Sequence, residues 1–254
     1  MINLMKKFFF IIFLFAFGNL YAQKCRIAVI ISANSEWKVV KEFYPKENYN
    51  SSPWGDYFFK DFKINNVNEK ILFFHGGWGK VAAAGSAQYV ISTYQPEYLI
   101  NIGTCGGFEG SIKKYEVVLV DKTIIYDIIE AMGDSKEAIN DYSINLDLNW
   151  LKLPYPSKVI KTVMVSADKD LIPAEIESLK NNYNAIAGDW ETGAIAYTVS
   201  KNKKKLLILR GVSDLVSNTK GEAYGKEHIF INGTDVVMKN LLITLPLWLE
   251  KCNN

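Results

Sequence analysis

A chain of 254 residues, 49% of them hydrophobic and 22% charged, has the balance of a globular protein, which excludes the disordered and fibrous classes. Its formal net charge of +2 includes Lys6 and Lys7; without these two it falls to zero, which excludes a nucleic acid or other polyanion chosen by bulk charge. Three cysteines do not make a disulfide framework: Cys25 and Cys252, near opposite ends, either pair or stay as free, buried thiols, and the second is the expectation.

In chain order, Lys6 and Lys7 precede an apolar core over residues 8–17, and Gly18-Asn19-Leu20-Tyr21-Ala22 follows. This is the pattern of a signal peptide cut after Ala22, and the apolar run is too short for a comfortable membrane span. Leu20 at the minus-three position is less usual than alanine, so an uncleaved anchor and a buried first strand or helix stand as the alternatives. Gln23-Lys24 occupy the positions where a lipid attachment box before Cys25 would need small residues. The expectation is an exported chain, periplasmic or secreted, with residues 1–22 as leader and 23–254 as one catalytic domain without stable membrane association after cleavage.

The remainder alternates strands and helices. Residues 26–32 form a short apolar strand, and 71–75 form another that ends in Gly76-Gly77-Trp78-Gly79. The alanine-rich stretch 80–92 predicts a helix able to pack closely on a sheet. Residues 98–102 return as a buried strand, and the cluster from Gly103 to Gly107 predicts a turn at its end. Further strands are expected at 117–121, 159–166 and 206–211, with helices at 174–181 and 191–200. A last amphipathic helix covers 235–250, where Pro246 must bend or end it. Residues 42–69 show no clean period and are either an extended β excursion or a loop beside a pocket. This rhythm, without repeats or a long linker, predicts a single-domain, three-layer α/β fold with a central sheet flanked by helices.

Chemistry is concentrated in two places. Residues 207–209 are apolar and deliver Arg210 and, four residues on, Asp214 to the end where sheet proteins place their sites. Upstream, Asp189-Trp190-Glu191 sets carboxylates in a small, apolar stretch, a poor place for charge without a task. The two glycine clusters lack dinucleotide spacing, and no lysine-ending phosphate loop occurs; both are read as turns that let backbone approach a ligand. His75 and His228 are too far apart and too poorly supported by cysteines to imply a metal, so neither a metal nor a cofactor is expected.

Five blocks occur in one order: Ile31-Ser32-Ala33-Asn34-Ser35-Glu36, Gly77-Trp78-Gly79-Lys80-Val81-Ala82-Ala83-Ala84, Asn101-Ile102-Gly103-Thr104-Cys105-Gly106-Gly107, Asp189-Trp190-Glu191-Thr192-Gly193-Ala194 and Arg210-Gly211-Val212-Ser213-Asp214. On these blocks the chain resembles the purine nucleoside phosphorylase and uridine phosphorylase family, particularly its methylthioadenosine/S-adenosylhomocysteine nucleosidase branch. The resemblance implies a mixed central sheet, a small-molecule nucleoside substrate and a homodimer. It implies that Asp214 supplies a proton or hydrogen bond to purine N7, because adenine is a poor leaving group while charge collects on the ring; a helix cap is the structural alternative. It places Glu191 on the ribose 2′- and 3′-hydroxyls, against first-turn charge stabilisation as the plainer role. It makes Glu36 the base for water, oriented by Arg210 and Thr104, although Arg210 alternatively satisfies a buried acid without touching substrate. Trp190, where the branch often has methionine, either packs along the sugar and its 5′ substituent or anchors the helix; Gly106 and Ser213 fall beside the substrate in the same blocks.

The sequence departs from the family at Ser166-Ala167-Asp168-Lys169-Asp170-Leu171, where Asp170 takes the place of a base-stacking aromatic. Arg26 and Arg210 are the only arginines, and a phosphorylase gathers several around phosphate, so hydrolysis of a purine N-glycosidic bond is expected. Lys80 either assists an anion or supports the glycine turn. A phosphate-dependent phosphorylase and a non-catalytic nucleoside-binding protein are the alternatives.

Overall fold

The computed structural model describes residues 23–253, so the expected leader lies outside the described residues. Strands that read as unbroken apolar runs lie inside a sheet covered on both faces. In β1 (Ile27–Ile31) all five residues are buried. Alternate residues feed different layers: Ile27, Val29 and Ile31 pack with α1 (Asn34–Phe43), and Ala28 and Ile30 face the opposite side. The stretch without a clean period is the β excursion, with β2 (Asn50–Ser51), β3 (Asp56–Ile64) and β4 (Val67–His75) pairing antiparallel. Its aromatics fill both faces, with Phe58 on Phe73 and Tyr57 on Phe74, which blurs the period-two signal.

The alanine-rich helix α2 (Gly79–Tyr94) buries Ala83, Ala87, Val90 and Ile91 beneath the sheet. Next, β5 (Tyr98–Phe108) runs straight through the glycine cluster expected to be a turn. Those glycines answer to crowding and not to a turn: a Cβ on Gly103 would sit 2.1 Å from Arg210 Nη1, and one on Gly107 would sit 2.7 Å from Val212 Cγ1. The chain continues with β6 (Val117–Ile125), α3 (Ser135–Tyr142), β7 (Ile144–Asn145), β8 (Ile160–Ser166), α4 (Ile176–Tyr183), β9 (Ala185–Asp189), α5 (Thr192–Lys201) and β10 (Lys205–Val216). It closes with α6 (Glu227–Leu249), in which Pro246 sits inside the last turn without ending the helix there. Neither α1 nor α3 was expected from the sequence. Among the described residues no helix is long and apolar enough to cross a membrane.

The sheet is mixed, as expected. Parallel pairing joins β4, β1, β5 and β10, and separately β6, β8 and β9; antiparallel pairing joins β10 to β6 and β9 back to β5. The strands β5, β10, β6, β8 and β9 therefore close a ring, from which β1, β4, β3 and β2 extend as an open wing. Helices α1 and α6 cover one face with Val40, Val237, Leu241 and Leu245; α2 and α5 cover the other with Ala87, Val90, Ile195 and Val199. The expected three-layer α/β domain is what the chain forms. Cys25, Cys105 and Cys252 are all free and buried, so the terminal pair does not bridge.

The strand β10 extends beyond the expected end at Gly211 and carries a bulge. Val212 pairs with Cys105 and Asp214 with Gly106, which leaves Ser213 as the extra residue. Bulges re-aim side chains beside sites. This one is braced by α6, where a Cβ on Gly233 would stand 2.2 Å from the Ser213 carbonyl oxygen. Gly233→Ala is expected to destabilise the protein by about 1–3 kcal/mol through overpacking against rigid backbone. A thermal melt should show a fall of roughly 2–4 °C per kcal/mol, whereas Asn232→Ala, on the exposed side of the same turn, should leave the midpoint nearly unchanged.

Candidate active site

The C-terminal ends of β1, β4, β5, β8, β9 and β10 surround a cavity of about 840 Å³, the position at which open α/β sheets bind ligands. Its wall includes Glu36, Thr104, Gly106, Trp190, Glu191, Ser213 and Asp214, so seven of the eight residues expected at the site meet in one place. The eighth, Arg210, has no exposed surface and lies behind the wall. Arg210 therefore reaches the cavity only through the acids it pairs with.

Glu36 stands in the first turn of α1 and is 1% exposed. Its Oε1 accepts from the Thr104 backbone N–H at 2.6 Å and from the Thr104 hydroxyl at 2.8 Å. Its Oε2 accepts from the Ala33 N–H at 3.1 Å, the reciprocal half of a capping box whose other half Ala33 lacks the side chain to make. Arg210 Nη1 lies 3.6 Å from Glu36 Oε1. The same side chain therefore caps a helix and presents a fixed carboxylate to the cavity.

Arg210 meets two further acids: Asp189 Oδ2 is 3.1 Å from Nε and Glu191 Oε2 is 3.7 Å from Nη2. Asn101 Oδ1 accepts from Nη2 at 2.9 Å while its amide donates to the Ile30 carbonyl, also at 2.9 Å, and the Thr104 carbonyl accepts from Nη1 at 3.3 Å. Glu191 precedes the first turn of α5 yet makes no capping bond there; its Oε1 accepts from the Gly79 N–H at 3.2 Å across the cavity. Burial pushes the Glu191 carboxyl up to about 8; Arg210 opposes that rise, and the charges of Asp189 and Glu36 add to it.

Asp214 caps no helix. It sits after the β10 bulge, and its Oδ1 accepts from the Ser213 hydroxyl at 2.6 Å. Burial raises its pKa above the usual carboxylate value, the Ser213 hydrogen bond works against this, and the charge of Glu222 adds to it. A carboxyl that holds its proton more readily than usual thus stands at the end of the cavity lined by Leu171, Val216 and Tyr224.

Trp190 lines the cavity and packs against Trp78, ring centroids 4.8 Å apart. Asp170 is exposed at the rim and stacks on nothing. The aromatics that line the wall beside it are Tyr224, whose hydroxyl donates to the Leu171 carbonyl, and Phe230. Sequence reasoning assigned neither, because Tyr224 follows β10 in a polar stretch that carries no period and Phe230 lies in α6 ahead of the expected helix start at 235. It also left Asp189 without a role; its signal was the buried context of the Ala187-Gly188-Asp189 strand.

Lys80 is spent on structure: its ammonium pairs with Asp127 and lies 3.8 Å from Asp168, and its backbone N–H donates to Asp168 at 2.7 Å. Arg26, at the start of β1, is held by Glu69 and by the Cys252 carbonyl. His75 stacks on Trp37 at 5.3 Å, and its Nε2 is buried without a hydrogen-bond partner. Among the described residues no group of three or more His, Cys, Asp or Glu is placed to hold a metal ion.

A family model describing the phosphorylase superfamily matches residues 26–231. The chain is 27% identical over 207 residues to the 5′-methylthioadenosine/S-adenosylhomocysteine nucleosidase of Buchnera aphidicola subsp. Acyrthosiphon pisum (strain Tuc7), covering 76% of this chain and 86% of that protein. Its fold is similar to the Neisseria meningitidis enzyme of the same name in complex with methylthio-immucillin-A, with a TM-score of 0.70 and 17% identity over 88% of this chain and 98% of that one. It is similar also to the Colwellia psychrerythraea nucleosidase in complex with adenine, with a TM-score of 0.68 and 20% identity over 92% of this chain and 98% of that one. With the five blocks gathered round one cavity and the family match spanning most of its length, the chain belongs to the phosphorylase superfamily.

Proposed function

We propose that the protein hydrolyses the N-glycosidic bond of a purine nucleoside, 5′-methylthioadenosine or S-adenosylhomocysteine, and releases adenine. One observation carries the choice of water over phosphate: Arg210, the arginine nearest the cavity, is enclosed by Glu36, Asp189 and Glu191 behind its wall. Arg26, the other arginine, is held by Glu69 at the far end of β1. The names of the similar proteins support the same substrates.

In this reading Asp214, whose pKa burial raises, gives a proton to purine N7 as the C1′–N9 bond breaks, so adenine leaves neutral. Glu36, held by three donors, takes a proton from the water whose oxygen bonds to C1′. Glu191 accepts the ribose hydroxyls, and the positive charge developing on the sugar draws this carboxyl toward its ionised form as the bond breaks. Trp190 and Trp78 lie beside Glu191 and Gly79 and give the sugar an apolar neighbour. No cofactor takes part. A homodimer and export under the leader at residues 1–22 belong to the same proposal, the first from the family resemblance and the second from the sequence pattern.

Purified protein incubated with a nucleoside panel in phosphate-free buffer should release free base and free sugar, which chromatography separates. Strict dependence on phosphate with accumulation of sugar-1-phosphate would replace hydrolysis by phosphorolysis, with Lys38, Lys169 and Lys226 of the cavity wall as the anion's partners. Binding without any product would leave a nucleoside-binding module.

Asp214→Asn keeps the shape and removes the acid, so kcat should fall roughly 10²-fold or more in a folded enzyme. Glu191→Gln should lower kcat/KM, and the penalty should shrink for deoxyribonucleosides, which have less to lose at that contact. Steady-state kinetics on ribo- and deoxyribonucleosides test both; normal turnover of Asp214→Asn rejects the acid, and unchanged discrimination by Glu191→Gln rejects the sugar contact. Mass spectrometry of the native protein should find a chain beginning at Gln23 outside the cytoplasmic membrane, and an intact Met1 in a soluble cytoplasmic form would overturn export.

A further inference from the structure

Asp189 uses its two oxygens differently. Its Oδ1 accepts from the Thr192 N–H at 3.2 Å and from the Thr192 hydroxyl at 2.8 Å, which ties β9 to the first residue of α5. This contact alone would make Asp189 a local brace for the helix start. Its Oδ2 has no hydrogen-bond partner and faces Arg210 Nε at 3.1 Å, off the line of that N–H. A brace does not need that second oxygen, and an acid with a 2% exposed side chain is costly without a use.

A guanidinium is a rigid plane, so a charge held along one edge sets the direction of the others. With Asp189 on the Nε edge, Nη1 points to Glu36 and Nη2 to Glu191. We propose that Asp189 is a positioning residue that clamps Arg210 along its Nε edge, and so sets the spacing between the carboxylate that activates water and the one that holds ribose. The kinetic side of this inference rests on the hydrolytic reading above. The structural side does not, because the charge of Asp189 also acts on Glu191 without substrate.

Four groups face Glu191: Arg210 from β10, Asp189 from β9, Glu36 from α1 and the Gly79 N–H from α2. The Asp189 charge helps to hold the Glu191 carboxyl above its ordinary value. A carboxyl raised from 4.5 to about 8 on folding binds its proton more tightly in the folded chain, so stability declines as pH rises through that window. Removing the negative charge of Asp189 weakens that dependence, whereas losing a helix brace alone does not.

The test is Asp189→Asn in the full protein, with kinetics on 5′-methylthioadenosine in phosphate-free buffer and melting temperature measured from about pH 5 to about pH 9, the span over which Glu191 titrates. The expected result is a fall in kcat of about 10²-fold with KM changed much less, and a shallower fall of melting temperature with pH than in the parent. Thr192→Val, which frees Oδ1 but keeps the charge, should lower kcat by less and leave the pH slope as it was. A folded Asp189→Asn with parental kcat overturns the proposal. So does a loss of kcat with the parental pH slope, which would reduce Asp189 to a helix brace. Should Asp189→Asn fail to fold, a Thr192→Val protein that keeps most of its kcat and the parental pH slope supports the clamp, and one that loses kcat about 10²-fold reduces Asp189 to a helix brace and overturns it. If the parent hydrolyses no nucleoside, the hydrolytic reading fails, while the comparison of pH slopes still decides the clamp.

Discussion

The structure depends on one guanidinium held out of water. Arg210 has no exposed surface and is surrounded by Asp189, Glu36 and Glu191, with Asn101 and the Thr104 carbonyl taking further protons. Desolvating such a cluster is expensive, and the cost is offset only when partners are close and lone pairs are filled. Removing one partner from a buried pair typically costs about 3–5 kcal/mol, because the remaining charge is left stranded. The partners come from β5, β9, α1 and the start of α5, so the cluster also fixes where these elements and β10 stand relative to one another. Gly103 follows from this requirement, since any side chain there would occupy the guanidinium's position.

The cluster also separates the chemistry of the site. Glu36 and Glu191 are bound to Arg210, whereas Asp214 lies beyond the bulge with Ser213 and the charges of Glu222, Lys114 and Asp170 as its surroundings. Glu36, paired with a cation, and Asp214, whose pKa burial raises, sit in unlike surroundings, the kind of arrangement that sets two carboxyl groups apart in proton transfer. A single extra residue in β10 supports the division, with Gly233 of α6 allowing the helix close enough to brace it.

What could be read from the sequence tracks what is local. The strands β1 and β10 were legible because burial on both faces leaves an unbroken apolar run, and α2 because alanines at close spacing suit a helix under a sheet. In the wing only residues 71–75 of β4 read as a strand, and the stretch before them stayed open between an excursion and a loop, since its aromatics pack on both faces. The glycines of β5 misled because glycine in a strand usually marks a turn, and here it marks a neighbour arriving from residue 210. Seven site residues were legible through the ordered blocks, and their meeting in one cavity agrees with that reading. Asp189 and Tyr224 were missed because the contacts that define them, with Arg210 and with Leu171, join distant parts of the chain.

The ring of five strands has a kinetic consequence. Its first strand, β5, is completed by β10, and the contact between Asn101 and Arg210 joins residues 109 apart. Closure entropy must be met before such pairings return any stability, so topologies of this kind fold slowly compared with chains dominated by local contacts. The two ends of the ring seam come together only when nearly the whole chain has been made, and until then Arg210 has no enclosure and the strands of β5 remain an open edge. A chain that must cross a membrane before folding gains time from that delay; one that folds where it is made must instead protect the same edge from pairing with its neighbours.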